Sequence, residues 1–285
     1  MQRSFYSQNK TALTMRFVAW AAVCCLCAIA WSSVPSPTWV KAAVSSLLLF
    51  ALPAICFWHF SGGMRKGTGT VTPPGAAVLY TAMAALALQP FLQFIGTFTR
   101  DFLEYALPAE LFSRLLESQA LRATVLHEIV DGFSWGNLSR AVLVLAIIPA
   151  VSEELFFRGI LQRLLVRATH RRHVTVISVA LAFATVHSDW FNFIPLFICS
   201  LFLGYSYIYS ACIWIPVAFH FTSNLWNIIL LFATAHTGSA AGADTAAAPP
   251  GTIPWWSALL SISVAILLIR AARVAFFTRR KKYHQ

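Results

Sequence analysis

Long stretches of hydrophobic residues make up most of this chain, and polar residues are concentrated in the segments between them. A helix needs about 20 predominantly apolar residues to cross the hydrocarbon layer of a membrane. The pattern predicts eight such helices, at about residues 17–34, 42–60, 76–98, 139–162, 174–189, 191–209, 211–233 and 255–277. We therefore expect an all-α fold, a polytopic membrane helical bundle with about eight transmembrane helices.

One segment between the predicted spans is long and mixed in character. Residues 99–138 carry apolar side chains at helical spacing among acidic and basic ones. This spacing predicts a helix that lies on the membrane surface or caps the bundle.

The overall composition agrees with a membrane protein. Hydrophobic residues make up 58% of the chain, charged residues 11%, and the mean hydropathy is +0.68. A soluble domain has roughly a quarter of its residues charged. The net charge of +11 therefore has to be interpreted by the position of the charges rather than by their sum.

The basic residues divide unequally between the two sides of the predicted membrane. If the N terminus is cytoplasmic, the outer segments hold Lys41, Arg100, Arg114, Arg122 and Arg140, and Arg158 falls inside a span. The inner segments hold the other fifteen of the 21 lysines and arginines: Arg3, Lys10, Arg16, Arg65, Lys66, Arg163, Arg167, Arg171, Arg172, Arg270, Arg273, Arg279, Arg280, Lys281 and Lys282. Cytoplasmic loops of membrane proteins carry such an excess. We expect the chain in the inner membrane of a bacterial-type cell, with both termini in the cytoplasm. We interpret the net positive charge as attraction to anionic lipid rather than to nucleic acid.

Three charged residues lie where a membrane or packed protein should surround them. The stretch IIPAVSEELFFRGILQRLL, residues 147–165, places Glu153, Glu154 and Arg158 inside an apolar helix. Each such side chain costs about 2.5 to 3.5 kcal/mol at a helix centre unless it is paired or hydrated. Glu154 and Arg158 are four residues apart with the acid first, which favours an ion pair. Glu153 points about 100° away and needs a polar partner from another helix.

Two other predicted spans offer such partners. His187 ends the apolar run LAFATVH, and His220 and Asn224 lie one turn apart on one helical face of HFTSN. Polar side chains in a membrane face the interior of the bundle, so these residues can meet Glu153 in one wet pocket. Counting 1.5 Å per residue from the predicted inner ends places His220 and Glu153 near mid-membrane but His187 nearer the outer side.

These residues resemble a known family, the CAAX prenyl endopeptidase and bacteriocin-processing enzymes (CPBP or Abi family of intramembrane proteases). The resemblance lies in EELFFR (Glu153, Glu154, Arg158), FATVH (Phe183 to His187) and HFTSN (His220 to Asn224), which occur in this order in separate spans. It implies three parts: 1–138, membrane helices with the outer amphipathic segment; 139–233, the catalytic core; and 234–285, an outer loop, the last membrane helix and a basic tail.

The resemblance implies an intramembrane endopeptidase that cuts near the terminus of a membrane-associated protein or peptide. Such a reaction needs an activated water and donors for the oxyanion. Glu153 with His187 would activate the water, His220 and Asn224 would bind the oxyanion, and Glu154 with Arg158 would hold the helix in register. We expect no cofactor. The alternative is a zinc ion held by Glu153, His187 and His220, because two histidines and a glutamate form a common catalytic zinc site.

Two further classes of function fit the same residues. A proton-coupled transporter also keeps glutamate and histidine within the membrane, although such transporters are typically built from paired halves with broken helices. A non-catalytic immunity or partner protein would keep the helices and tolerate loss of Glu153.

Overall fold

The computed structural model describes residues 2–60, 72–130, 134–237 and 253–282, and in these residues it contains nine helices and no strand. The predicted all-α fold class is therefore confirmed. The helices are α1 (Gln2–Ser32), α2 (38–60), α3 (Gly75–Ala106), α4 (Ala109–Val130), α5 (135–169), α6 (Arg172–His187), α7 (Phe193–Ser210), α8 (Trp214–Thr237) and α9 (Trp255–Lys282).

Five of the described helical segments are long and apolar enough to cross a membrane. They are Thr38–His59, Gly75–Ala106, Phe193–Ser210, Trp214–Ala233 and Trp255–Thr278. Two shorter apolar segments, Phe17–Ser32 and Arg172–His187, correspond to two more of the predicted spans. The eighth predicted span lies in α5, which contains the charges of Glu153, Glu154 and Arg158.

Helix α5 is interrupted by two π-helical segments. Val142–Ile147 and Phe157–Gln162 are π-helical, and the α-helical segment Ile148–Phe156 lies between them. Pro149 follows the first π segment and has no backbone N–H, so the regular hydrogen-bond ladder is interrupted there. Both glutamates lie between the two π segments, a position typical of functional sites in helices.

The bundle packs through small residues and phenylalanines. Ala84 and Ala85 of α3 and Ala265 of α9 are fully buried, and side chains of this size allow two helices to approach closely. Phe50 of α2, Phe157 of α5 and Phe183 of α6 form a second cluster. These contacts hold α5 and α6 side by side, which positions the charged residues of α5 opposite the end of α6.

The helix predicted in the outer segment is present as α4, and it packs against the bundle. Its Ile129 and Val130 are buried against α5 and α8. Thr38 of α2 donates a hydrogen bond to Glu128 at 2.6 Å, and Arg122 donates one to the Ser188 carbonyl at 2.9 Å. Most of the outer loop expected after residue 233 lies outside the described residues, as do residues 61–71.

Candidate active site

The ion pair predicted between Glu154 and Arg158 is present and fully buried. Arg158 Nη1 lies 2.7 Å from Glu154 Oε1, and neither side chain is exposed. A buried arginine that lost this partner would remain as an uncompensated charge, which is strongly destabilising. The pair is therefore a structural requirement of α5 in this environment.

Arg158 also binds α7. Its Nη2 donates to the Ser200 hydroxyl at 2.7 Å and to the Ser200 carbonyl at 3.2 Å. One turn further along both helices, Gln162 Nε2 donates to the Gly204 carbonyl at 3.0 Å. The two contacts are separated by four residues on each helix, so they fix the register of α5 against the parallel helix α7.

Sequence reasoning missed Gln162, Ser200 and Gly204. A signal was present, because Gln162 follows Arg158 by four residues and shares its face. Ser200 and Gly204 form a pair of small residues one turn apart, a spacing typical of close helix contacts in membranes. A Cβ atom at Gly204 would lie 2.9 Å from a methyl carbon of Val176, so a larger residue there would force α6 and α7 apart.

His220 binds the same carboxylate as Arg158. Its Nδ1 lies 2.9 Å from Glu154 Oε1, and the histidine is 6% exposed. An ionised carboxylate only accepts hydrogen bonds, so Nδ1 carries the proton. This bond turns the other ring nitrogen, Nε2, towards Glu153, whose Oε2 lies 4.0 Å away.

His187 approaches Glu153 from the end of α6. Its Nδ1 donates to the Phe183 carbonyl of its own helix at 2.7 Å, because a carbonyl can only accept. Its Nε2 lies 3.6 Å from Glu153 Oε2, and the side chain is 29% exposed. His187 is thus the more accessible of the two histidines, and its orientation is set by the backbone of α6.

The depth predicted for His187 was wrong. The predicted span in α5 ended at residue 162, whereas the helix continues to Thr169. Glu153 therefore lies 16 residues before the end of α5, and His187 lies 15 residues after Arg172, where α6 begins. The two positions are equally far from the turn that joins two antiparallel helices, so they lie at the same depth.

Three acceptor atoms converge at Glu153 when both histidines are neutral. Glu153 is 7% exposed, and its Oε2 has no hydrogen-bond donor among the described residues. The Nε2 atoms of His187 and His220 face this oxygen with their lone pairs. Such a set calls for a proton donor or a cation between the three atoms, and a water molecule can donate to two of them.

A zinc ion is a second group that these side chains suit by type. Zinc accepts two histidine nitrogens and a carboxylate oxygen at about 2.0 to 2.2 Å, which places neighbouring ligand atoms about 3.3 Å apart in a tetrahedron. Glu153 Oε2 lies 3.6 Å from His187 Nε2 and 4.0 Å from His220 Nε2, and both distances exceed the separation of neighbouring zinc ligands. Across the described residues, no group of three or more His, Cys, Asp or Glu side chains has the arrangement of a metal site.

Asn224 lies one turn beyond His220 on α8. It is half-buried, and its side chain forms no hydrogen bond with another residue in the described part of the chain. Its amide is thus able to donate to a bound molecule. Phe183 completes the surroundings: its ring lies 4.4 Å from the His187 ring, 5.9 Å from the His220 ring and 4.9 Å from the Arg158 guanidinium.

The comparison with protein families agrees with this geometry. Residues 135–226, about a third of the chain, match the family model described as type II CAAX prenyl endopeptidase Rce1-like. The matched segment contains all six site residues: Glu153, Glu154, Arg158, His187, His220 and Asn224. No curated protein and no solved structure gave a significant match. Residues 135–226 of this membrane protein are therefore similar to the type II CAAX prenyl endopeptidase Rce1-like family, and the similarity covers the segment that holds the candidate site.

Proposed function

We propose that the protein is an intramembrane endopeptidase that hydrolyses a peptide bond near the terminus of a membrane-associated protein or peptide. The observation that carries this proposal is the convergence on Glu153. Its unpartnered Oε2 lies 3.6 Å from His187 Nε2 and 4.0 Å from His220 Nε2. The Nδ1 atom of each ring donates its proton to another group, the Phe183 carbonyl or Glu154. A water held between Glu153 Oε2 and His187 Nε2 donates to both atoms and lies next to a carboxylate that can take its proton.

These positions support the following reaction. Glu153 removes a proton from the water, and the water oxygen attacks the carbonyl carbon of the peptide bond. Before the attack, His220 takes up a second proton from solvent on Nε2. The carbonyl oxygen becomes negatively charged and accepts hydrogen bonds from this N–H and from the Asn224 amide. Glu153 then gives its proton to the amine as the C–N bond breaks, leaving a carboxylate and an amine as products.

Glu154 and Arg158 position the reacting groups rather than touching the peptide. Glu154 Oε1 accepts the hydrogen bond of His220 Nδ1 and places a negative charge beside that ring. Arg158 shares the same oxygen and binds α7 through Ser200. Together they fix the angle at which His220 faces Glu153.

The zinc alternative uses the same three side chains. Glu153, His187 and His220 would hold the ion, which would supply a Lewis acid and lower the pKa of a bound water. We propose the reaction without metal, because the two histidine nitrogens lie 3.6 and 4.0 Å from Glu153 Oε2, farther than the separation of about 3.3 Å between neighbouring ligand atoms of a zinc site. One tightly bound zinc per active chain, lost in both His187→Ala and His220→Ala, would overturn this choice.

The test of the proposal is cleavage by the purified chain in lipid. Membrane-anchored proteins and peptides would be offered to the native protein and to Glu153→Gln, which keeps the shape of the side chain and removes the base. Glu117→Gln, an exposed position on α4, is the matched control. We expect cleavage by the native protein and the control and none by Glu153→Gln, with all three folded alike. Ion flux across the same vesicles, or no cleavage at all, would support the transporter or the partner protein instead.

We further propose a bacterial-type inner membrane as the location, with both termini in the cytoplasm. The fifteen basic residues assigned to the inner side support this orientation. The partners are then the lipid bilayer and the membrane-associated substrate, with no nucleic acid.

A further inference from the structure

A cavity lies away from Glu153, at the end of the bundle where the chain turns from α5 into α6. Its volume is about 270 Å³, and α7 closes its third side. Three of the residues that line it are arginines: Arg163 and Arg167 from the end of α5, and Arg172 from the start of α6. This concentration of positive charge in one cavity is what needs an explanation.

Among the described residues, none of these three arginines forms an ion pair with an acidic side chain. The sequence has no acidic residue between Glu154 and Asp189. Glu154 is fully buried and already bound to Arg158 and His220. Asp189 follows the opposite end of α6, which is 16 residues long and so about 24 Å in length. The charge of the cavity therefore has to be balanced by an anion from outside the chain.

The arginines of the cavity differ in burial, with Arg163 at its base and the other two at its rim. Arg163 Nη1 is buried and has no hydrogen-bond partner in the described residues. The phenol of Tyr207, a buried residue of α7, interacts with the Arg163 side chain. Arg167 and Arg172 are exposed and lie at the rim. A buried donor at the base with two exposed guanidinium groups at the rim matches the several oxygens of a phosphate.

The position of the cavity indicates which phosphate it meets. It opens where membrane-spanning helices end, and Val166 and Ile208 add apolar surface to its lining. Val174 and Ile177, at the start of α6, are exposed apolar residues on an apolar helix, as expected for a surface in contact with lipid chains. Basic pockets between membrane helices at this depth bind anionic lipid headgroups. We propose that this cavity is a binding site for the phosphate of an anionic phospholipid headgroup. The proposal does not depend on the peptidase reaction.

The experiment measures the dissociation constant for phosphatidylglycerol on the purified full chain, by native mass spectrometry in detergent. The test variant is Arg167→Gln with Arg172→Gln. The matched control removes the same charge from Arg171 and Arg270, which are exposed and do not line the cavity. We expect the test variant to weaken binding roughly thirty-fold, about five-fold for each arginine. The control should change it by less than about two-fold, because scattered exposed charges are screened.

Two additions make the result decisive. The single variants Arg167→Gln and Arg172→Gln should each weaken binding about five-fold, which supports the proposal even if the double variant does not fold. Phosphatidylcholine with the same acyl chains should bind weakly to every variant, and millimolar inorganic phosphate should not displace phosphatidylglycerol.

Three outcomes would overturn the proposal. Equal weakening in the test and control variants would mean a diffuse attraction of the membrane surface. Displacement by inorganic phosphate would make the ligand a soluble anion. The third outcome is that the test variant has a raised KM for a peptide substrate in a bilayer of phosphatidylcholine alone, while its phosphatidylglycerol binding is unchanged. That result would make the cavity a site for the substrate's carboxylate.

Discussion

Replacing Glu154 and Arg158 singly and together separates the stability of the site from its chemistry. Glu154→Gln leaves the fully buried Arg158 without its 2.7 Å counter-charge. Arg158→Met leaves a fully buried carboxylate with only His220 beside it. Removing one partner of a buried pair costs about 3 to 5 kcal/mol, so each single variant should lose that much of its free energy of unfolding.

The double variant should be far more stable than the two losses together suggest. It carries no charge at these two buried positions, and the glutamine oxygen still accepts from His220. What remains is the loss of the bonds from Arg158 to Ser200, at 2.7 and 3.2 Å, which is about 1 to 2 kcal/mol. The coupling between the two positions should therefore exceed about 4 kcal/mol.

Two measurements on the same preparations test this cycle. Unfolding by sodium dodecyl sulfate in lipid micelles gives the free energies, and cleavage of a membrane-anchored substrate gives the rates. We expect the double variant to regain stability and not activity, since a neutral glutamine leaves the His220 ring without the negative charge of Glu154 beside it. Additive losses of stability would refute the coupling, and a double variant that cleaves at the native rate would refute the role of the Glu154 charge.

Three other predictions concern α8, α7 and the orientation of the chain. Asn224→Ala should lower turnover by about 10² to 10³ fold, the usual effect of one lost oxyanion donor, without a change in metal content; an unchanged rate would exclude that role. Ser200→Ala should lower the free energy of unfolding by about 1 kcal/mol, because the Ser200 carbonyl still accepts from Arg158, and a loss as large as that of Glu154→Gln would contradict this reasoning. Reporter fusions at residue 118 and at the C terminus should report opposite sides of the membrane, and a common side would rule out the eight-span topology.

Much of the fold followed from hydropathy because a membrane requires apolar helices of a set length. The Glu154 and Arg158 pair followed from their spacing, since i and i+4 share a helical face. The C-terminal end of α5 could not be predicted in this way, because Arg163 and Arg167 make the sequence polar while the helix continues to Thr169. Hydropathy detects where a chain leaves the hydrocarbon layer, and a helix can extend beyond that point.

The partners of each glutamate could be predicted only in part. His187 and His220 were expected near Glu153, and they are there. The bond from His220 to Glu154 was not expected, because it depends on the rotation of α8 relative to α5. The π segments of α5 alter that rotation, and a sequence pattern based on a regular helical period does not contain them.

The matched bonds between α5 and α7 also limit how the site can open. Arg158 with Ser200 and Gln162 with Gly204 repeat at the same interval, so a small sliding of one helix along the other breaks both bonds at once. The next register in which a donor meets a small residue is one full turn away, about 5.4 Å. Such a shift would carry Glu153 away from both histidines. We expect α5 and α7 to move as one rigid body, so a polypeptide has to reach Glu153 by a displacement of α6 that leaves both bonds intact.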